Sequence, residues 1–450
     1  MRKISQHGQW STRLAFILAA TGSAVGLGNI WKFPYIAGEN GGGAFVLIYL
    51  LCILMIGLPI MMAEIMLGRR GRQSPINTMK ELAQESAVSA FWSWLGWLGV
   101  IAGFLILSYY SVIAGWAMAY VVRVASGVFE GVTPDGASNI FGELIADPEK
   151  LLAWHSLFMI MTMLVVARGV KGLERTVKFL MPALLAILIL LIGYSMEQGA
   201  FEQGVSFLFK ADFSKVTSES VLTAMGHAFF TLSLGMGAIM VYGSYLPSKV
   251  SIGSTASLIA LTDTAVALFA GLAIFPIVFA NGLEPGSGPG LIFQTLPIAF
   301  GHMAYGSLFG TLFFILLVFA AWSSSISLIE PAVAWLVENK GMSRMRACIW
   351  AGLATWVVGI GTVLSFNLAA DVTLLGKTFF DILDYLTANV MLPLGGLCIA
   401  VFAGWIMSKE ASADELSFTK PVLYRIWRFL IKFISPLAVI IVFFKAIGVI

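Results

Sequence analysis

Two apolar stretches of the sequence carry closely spaced glycines beside hydroxyl or amide side chains. The first runs from Gly22 to Asn29 (GSAVGLGN), and the second runs from Phe230 to Gly237 (FTLSLGMG). Glycine weakens a helix, and within a membrane the opened backbone groups are tolerated only around a cavity or an ion. Each stretch therefore predicts a broken helix with a binding site at the break. Close helix packing, for which the G-x-x-x-G pattern of Gly22 and Gly26 is typical, is the alternative.

Several side chains in these and other apolar stretches can offer oxygen atoms to an ion: Asn29, Thr231, Asp263 and Ser323–Ser325. Hard oxygen ligands favour Na⁺ over a transition metal. The ends of half-helices offer N–H groups to an anion and free carbonyls to a cation. A zwitterion that travels with a small cation fits this chemistry. The serines of a membrane helix can instead bond to their own carbonyls, which is the alternative for the serine run.

Composition places these residues in a membrane. The chain has 450 residues, of which 59% are hydrophobic and only 11% are charged, and its mean hydropathy is +0.90. A cytosolic enzyme needs more polar surface, and the continuous apolar runs differ from the alternation of a membrane β-barrel. The net charge of +3 does not predict a nucleic-acid surface, and three scattered cysteines predict neither disulfides nor a metal site. We predict an all-α polytopic membrane protein.

Apolar runs bounded by charges, glycine or proline predict about eleven spans. They lie near residues 13–36, 43–67, 91–123, 151–168, 176–195, 219–245, 252–281, 305–337, 346–365, 376–406 and 427–447. The interrupted spans are the first and the sixth, and this spacing is typical of transporters built from inverted repeats. We predict one membrane transport domain over residues 1–450. Its 5+5 inverted repeats would cover about 11–195 and 219–406, with an additional helix at about 423–447.

The distribution of basic residues predicts the orientation. If the N-terminus is cytoplasmic, most of the 27 Lys and Arg residues fall in cytoplasmic segments, including Arg69, Arg70, Arg72, Arg168 and Lys171. Glu64 and Glu330 lie within or near spans, and we expect internal partners for both.

The sequence closely resembles the neurotransmitter:sodium symporter family, in its branch of bacterial amino-acid transporters with eleven spans. The matching segments are Trp10–Arg13, Gly22–Pro34, Gly41–Ala44, Phe229–Gly235 and Phe319–Ser325, with Tyr109, Tyr110 and Trp116. The resemblance implies a multi-pass protein of the bacterial inner membrane. The twelfth span of larger members is missing, so we expect a monomer or a weak homodimer.

The resemblance implies two sodium sites. The first would use the Ala24 carbonyl, Asn29, Thr231, Asp263 and the substrate carboxylate. The second would use the carbonyls of Gly22, Val25 and Ala320 with the hydroxyls of Ser323 and Ser324.

The resemblance also implies the substrate site. The carboxylate would bind Leu27, Gly28 and Tyr110, and the amine would bind Ala24, Phe230, Thr231 and Ser233. The side-chain pocket would comprise Ile106, Tyr110, Phe230, Ser233, Met236, Ser324 and Leu328. Gly26 belongs to the same predicted site. Monoamine carriers of the family have an aspartate at this position, so the substrate here must supply its own carboxylate. We expect a neutral hydrophobic or aromatic L-amino acid.

Asp263 departs from the chloride-dependent members, which have asparagine at this position. An intramembrane carboxylate is a functional hypothesis by default. We predict that Asp263 supplies the negative charge that chloride provides elsewhere, and that its protonation helps the empty carrier to return. Transport would then be independent of chloride and coupled to proton counter-transport. The alternative is an ordinary paired polar residue.

The resemblance places gates on both sides of the site. Lys32 and Asp384 would form the outer gate, and Trp10, Tyr245 and Glu338 fall at inner-gate positions. His7 stands where an arginine is common, so the charge of the inner gate is open near neutral pH.

The sequence therefore predicts a sodium-coupled amino-acid symporter that works by alternating access. No catalytic motif of a membrane enzyme is present. A proton-coupled amino-acid carrier and a sensor that binds without transporting are the alternatives.

Overall fold

The computed structural model describes residues 4–283 and 290–448, and these residues form helices with two isolated β-bridges. The helices are α1 (Arg13–Ala24), α2 (Gly28–Glu39), α3 (Gly43–Gly71), α4 (Pro75–Glu85), α5 (Ala90–Ala125), α6 (Pro134–Ala146), α7 (Pro148–Val166), α8 (Gly169–Met196), α9 (Phe201–Phe209), α10 (Ser218–Thr231), α11 (Ala238–Ser244), α12 (Ile252–Ala280), α13 (Leu291–His302), α14 (Gly306–Lys340), α15 (Arg344–Leu364), α16 (Phe379–Ile406), α17 (Lys409–Leu416) and α18 (Pro421–Ala446).

Nine helices in the described ranges are long and apolar enough to cross a membrane. Helices α1 and α2 form a further span that bends by 62° at its break. Helices α10 and α11 are the halves of another, separated by residues 232–237. The prediction of about eleven spans, with the first and sixth discontinuous, is therefore confirmed. The breaks lie five spans apart, as a 5+5 inverted repeat requires, while the exact repeat boundaries stay a prediction.

The fifth span begins earlier than predicted, at Gly169 instead of residue 176. One charged side chain of its first turns is paired: Glu174 accepts hydrogen bonds from Lys178 at 2.5 Å and from the Ser11 amide at 3.0 Å. Hydropathy alone misses such turns, since it does not register pairs one helical turn apart.

Close backbone contacts fix the inner half of the sixth span. A Cβ atom on Gly68 would lie 1.9 Å from the Met240 carbonyl oxygen, and one on Gly243 would lie 2.8 Å from that of Ile65. Helices α3 and α11 thus pack backbone against backbone. Gly103 brings α5 equally close to α14, because its Cβ would lie 2.7 Å from the Leu328 carbonyl. These contacts hold the elements around both breaks.

The glycine run at residues 41–43 packs closely against the end of α9 and the residues that follow it. Gly42 has a φ of +55°, and a Cβ there would lie 1.9 Å from the Phe207 carbonyl oxygen. We expect Gly42→Ala to destabilise the protein by about 2 kcal/mol or more, because left-handed strain and a backbone clash act together. The melting temperature of the purified protein measures this.

Gly199→Ala is the matched control for Gly42→Ala. Gly199 also has a positive φ, of +85°, but no atom lies within 4 Å of its Cβ position. Its melting temperature should fall less. Equal losses for the two variants would contradict the importance of the Gly42 contact.

Candidate functional site

The first helix opens directly after α1. Val25 has an extended backbone with ψ of 102°, and the chain becomes helical again at Gly28. The Gly26 amide donates to Asn29 Oδ1 at 3.0 Å. The Asn29 side chain therefore satisfies a backbone group that the break releases.

The sixth span opens through three residues with positive φ, namely Ser233 (+54°), Gly235 (+80°) and Gly237 (+72°). The Gly235 amide donates to Glu64 Oε1 at 2.5 Å, and the Glu64 side chain is fully buried in α3. The expected internal partner of Glu64 is thus a backbone group of the break. A buried carboxylate supports the open conformation because the released N–H would otherwise lack a partner.

The predicted ligands of the first sodium site lie together. Asp263 is fully buried in α12, where Oδ1 accepts from Asn29 Nδ2 at 2.8 Å and Oδ2 accepts from Thr231 Oγ1 at 3.1 Å. No basic side chain in the described residues lies within ion-pair distance of Asp263. A buried carboxylate without a cationic partner, with the Asn29 amide and the Thr231 hydroxyl beside it, fits a small monovalent cation.

The predicted ligands of the second sodium site also converge. Ser324 Oγ lies 3.3 Å from the Gly22 carbonyl oxygen and 3.2 Å from that of Val25. Ser323 Oγ donates to the Ala320 carbonyl at 3.0 Å. The serine run thus combines the two possibilities: Ser323 bonds to its own helix, while Ser324 reaches across to the break of the first span.

A cavity of about 40 Å³ lies between the two breaks. Its lining contains all twelve residues predicted to bind substrate, together with Ser23: Ser23, Ala24, Gly26, Leu27, Gly28, Ile106, Tyr110, Phe230, Thr231, Ser233, Met236, Ser324 and Leu328. The Leu27 amide donates to the Tyr110 hydroxyl at 3.1 Å. The Leu27 N–H and the Tyr110 phenol therefore meet at one end, and apolar side chains supply much of the remaining wall.

The predicted inner-gate residues form a closed network at the end of the bundle where the N-terminal segment lies. His7 Nε2 is 2.9 Å from Glu338 Oε1, and the Ser74 amide donates to the same carboxylate oxygen at 2.8 Å. Trp10 is buried and donates to the Tyr242 carbonyl at 3.0 Å. These contacts join the N-terminal segment to α4, α11 and α14.

A second carboxylate completes this network. The Tyr245 hydroxyl donates to Glu330 Oε1 at 2.6 Å, and Arg344 pairs with the other oxygen of Glu330. The expected internal partners of Glu330 are thus Tyr245 and Arg344.

The structure does not bring the predicted outer-gate pair into contact. In the described part of the chain, no ion pair within 4 Å joins Lys32 to Asp384. The Lys32 ammonium lies 5.5 Å from the centre of the Phe230 ring and lines a separate cavity of about 320 Å³ between α10, α16 and α18.

Sequence reasoning missed Ser23 and Ser327. The Ser23 hydroxyl donates to the Ser327 hydroxyl at 2.7 Å, and both side chains are buried. Ser23 lies within the first glycine stretch, which was a usable signal. Ser327 carried none, because its importance depends on a contact between residues 304 positions apart.

Comparison with known proteins identifies the chain. The model of the sodium:neurotransmitter symporter family matches residues 7–129 and 142–450. The chain is 42% identical to the sodium-dependent transporter YhdH of Bacillus subtilis over 98% of both proteins. It belongs to the sodium:neurotransmitter symporter family. It is therefore a sodium-dependent membrane transporter and not an enzyme.

Further relatives of this symporter span distant organisms. It is 30% identical to the sodium-dependent transporter MJ1319 of Methanocaldococcus jannaschii, over 97% of this chain and 89% of the relative. The crystal structure of MhsT in complex with L-phenylalanine superposes with a TM-score of 0.89 at 44% identity. That match covers 98% of this chain and 99% of MhsT. The fold expected from the sequence is thus shared with a solved transporter over nearly its whole length.

Proposed function

We propose that this symporter takes up neutral hydrophobic or aromatic L-amino acids together with two Na⁺ ions. The observation that carries the proposal is the cavity between the breaks. It has the Leu27 N–H and the Tyr110 hydroxyl at one end and side chains such as Ile106 and Leu328 in its wall. The oxygen atoms of Asp263 and Ser324 lie nearby. A zwitterion with an apolar side chain matches this arrangement. MhsT was crystallised with such a ligand, L-phenylalanine.

The same arrangement supports the two ion sites that we propose. Asn29, Thr231 and Asp263, with the Ala24 carbonyl, would hold one Na⁺ beside the substrate carboxylate. Gly22, Val25, Ala320, Ser323 and Ser324 would hold the second. We further propose that transport does not require chloride, since Asp263 supplies a buried negative charge, and that Asp263 takes up a proton on the return step.

Sodium-driven uptake is the direct test. Purified protein in sealed vesicles should concentrate labelled L-phenylalanine or L-leucine when an inward Na⁺ gradient is imposed. Replacing Na⁺ by choline should abolish accumulation. Uptake driven by a pH gradient without Na⁺ would favour the proton-coupled alternative, and binding without accumulation would favour a sensor. Strong preference for a charged amino acid would overturn the proposed substrate class.

We propose alternating access with the N-terminal network as the inner gate, in a bacterial inner membrane with the N-terminus in the cytoplasm. The outer gate would close when Lys32 and Asp384 meet. A monomer satisfies every element of this mechanism, because each proposed ligand comes from one chain, and a weak homodimer remains compatible with it.

The inner gate gives a conformational prediction. Glu338→Gln removes the charge that holds His7 and the Ser74 amide. We expect the inward-open population to rise by about tenfold, because hydrogen bonds to a charged group contribute about 1.5–3 kcal/mol. Labelling of a cysteine introduced below the cavity measures this.

Glu85→Gln is the control for Glu338→Gln. Glu85 pairs with Arg70 in a more exposed setting and takes no part in the network of His7 and Tyr245. Its labelling rate should match that of the parent protein. Unchanged labelling in Glu338→Gln would argue against an inner gate at this position.

A further inference from the structure

The serine hydroxyls that line the cavity all donate their protons to atoms of the protein. Ser327 Oγ donates to the Ser324 carbonyl oxygen at 2.7 Å. A serine hydroxyl carries one proton, so Ser327 can only accept in its 2.7 Å contact with Ser23 Oγ. The proton of Ser23 therefore points at Ser327, away from any ligand.

The other two serines of the lining behave in the same way. Ser233 Oγ donates to the Ser23 carbonyl at 2.8 Å, and Ser324 Oγ lies 3.2 Å from the same carbonyl. Each serine that lines the cavity thus directs its proton to the protein. Lone pairs are what these hydroxyls have left for a ligand.

The Tyr110 hydroxyl accepts from the Leu27 amide at 3.1 Å. Ser324 Oγ lies beside this phenol, since a Cβ atom on Gly26 would lie 2.8 Å from Ser324 Oγ and 2.9 Å from the Tyr110 hydroxyl. The proton of Ser23 is instead held by Ser327, which lies on the same face of α14 as Leu328, in the wall of the proposed side-chain pocket.

We propose that Ser23 determines specificity by accepting a hydrogen bond from the side chain of the substrate. The inference rests on the proposed amino-acid function and narrows it. The indole N–H of tryptophan or the hydroxyl of tyrosine can donate to Ser23 Oγ, whereas a side chain of the same shape without a donor cannot. The present cavity of about 40 Å³ must widen to admit such a ring, and Met236 is the flexible wall residue that can move.

A pair of isosteric ligands tests this proposal. Equilibrium binding to the purified protein in Na⁺ is measured by competition against labelled L-leucine, so that the ratio does not depend on transport. L-tryptophan should bind about 3- to 10-fold more tightly than 3-(3-benzothienyl)-L-alanine, in which sulfur replaces the N–H. In Ser23→Ala the two ligands should bind equally.

Ser327→Ala provides a second, opposite readout. Without Ser327 Oγ, the Ser23 hydroxyl can turn and donate to a ligand. We expect 3-(4-pyridyl)-L-alanine, with its ring neutral, to gain at least about threefold in affinity relative to L-phenylalanine. Ser23→Ala should show no such gain.

Ser325→Ala is the matched control. Ser325 lies on the same helix and is buried, but it does not line the cavity and its hydroxyl has no hydrogen-bond partner in the described residues. Its affinity ratios for tryptophan against benzothienylalanine and for pyridylalanine against phenylalanine should equal those of the parent protein. A tryptophan to benzothienylalanine ratio of one in the parent protein, or a ratio unchanged by Ser23→Ala, would overturn the role of Ser23. Failure of every amino acid to bind in Na⁺ would instead overturn the proposed function.

Discussion

Replacing Asp263 by asparagine is expected to reduce amino-acid uptake in chloride-free medium by about 10- to 100-fold, because buried hydrogen bonds to a charged group contribute about 1.5–3 kcal/mol. The carboxylate lies in α12 with one oxygen on Asn29 and the other on Thr231, and both neighbours are proposed Na⁺ ligands. Asparagine keeps the shape but removes the negative charge. One oxygen of the proposed ion site is also replaced by a hydrogen-bond donor.

Chloride should restore a large part of the uptake by Asp263→Asn. A free anion can then supply the missing charge, as it does in the chloride-dependent members that carry asparagine at this position. Uptake is compared in chloride and in gluconate, for the parent protein and for the variant. The parent protein should transport equally well in both media.

The same variant tests proton counter-transport. If Asp263 carries the proton on the return step, exchange of internal for external substrate should survive in Asp263→Asn, while net uptake should lose its dependence on internal pH. Chloride dependence and pH dependence that both stay as in the parent protein would show that Asp263 is an ordinary paired residue.

Gly26→Ala is the second change with a large expected effect. The added Cβ would lie 2.8 Å from Ser324 Oγ and 2.9 Å from the Tyr110 hydroxyl. Overpacking of this kind costs about 1–3 kcal/mol, and here it displaces two groups that are proposed to bind the second Na⁺ and the substrate carboxylate. We expect the apparent affinity for the amino acid to fall by about 10- to 100-fold.

Binding of labelled substrate at several Na⁺ concentrations measures the effect of Gly26→Ala. Gly193→Ala is the control, because Gly193 lies in α8 and no atom is within 4 Å of its Cβ position. The control should bind like the parent protein. Near-parental affinity in Gly26→Ala would mean that the cavity tolerates a side chain at this position, and it would contradict the proposed binding roles of Ser324 and Tyr110.

Much of the candidate site was predictable because its signals are local. Glycines beside polar side chains mark both breaks, and the structure opens the chain at Val25 and through residues 232–237. The family resemblance then named the residues that line the cavity. Hydropathy was less successful at helix ends. Helix α8 begins at Gly169, before the predicted start at residue 176, because a charged residue such as Glu174 lowers the hydropathy of the first turns even though it is paired.

The hydrogen-bond partners of the serines and of Glu64 could not be predicted from the sequence. Whether Ser323 bonds to its own helix and Ser324 to another depends on which side of α14 faces the first break. The use of Glu64 to hold the Gly235 amide likewise depends on the approach of α3 to α11. Serine and glutamate have several possible partners, so residue type alone does not choose among them.

The sequence by itself determined the membrane class, the two discontinuous spans and the scarcity of intramembrane charge. These follow from composition and from the backbone freedom of glycine, which act over a few residues. The tertiary structure decided which atoms meet. Ser23 and Ser327, or His7 and Glu338, are separated by more than 300 residues, and only the packing of α1 and the N-terminal segment against α14 brings them within hydrogen-bond distance. The direction of each shared proton follows from that packing, because every hydroxyl can donate only once.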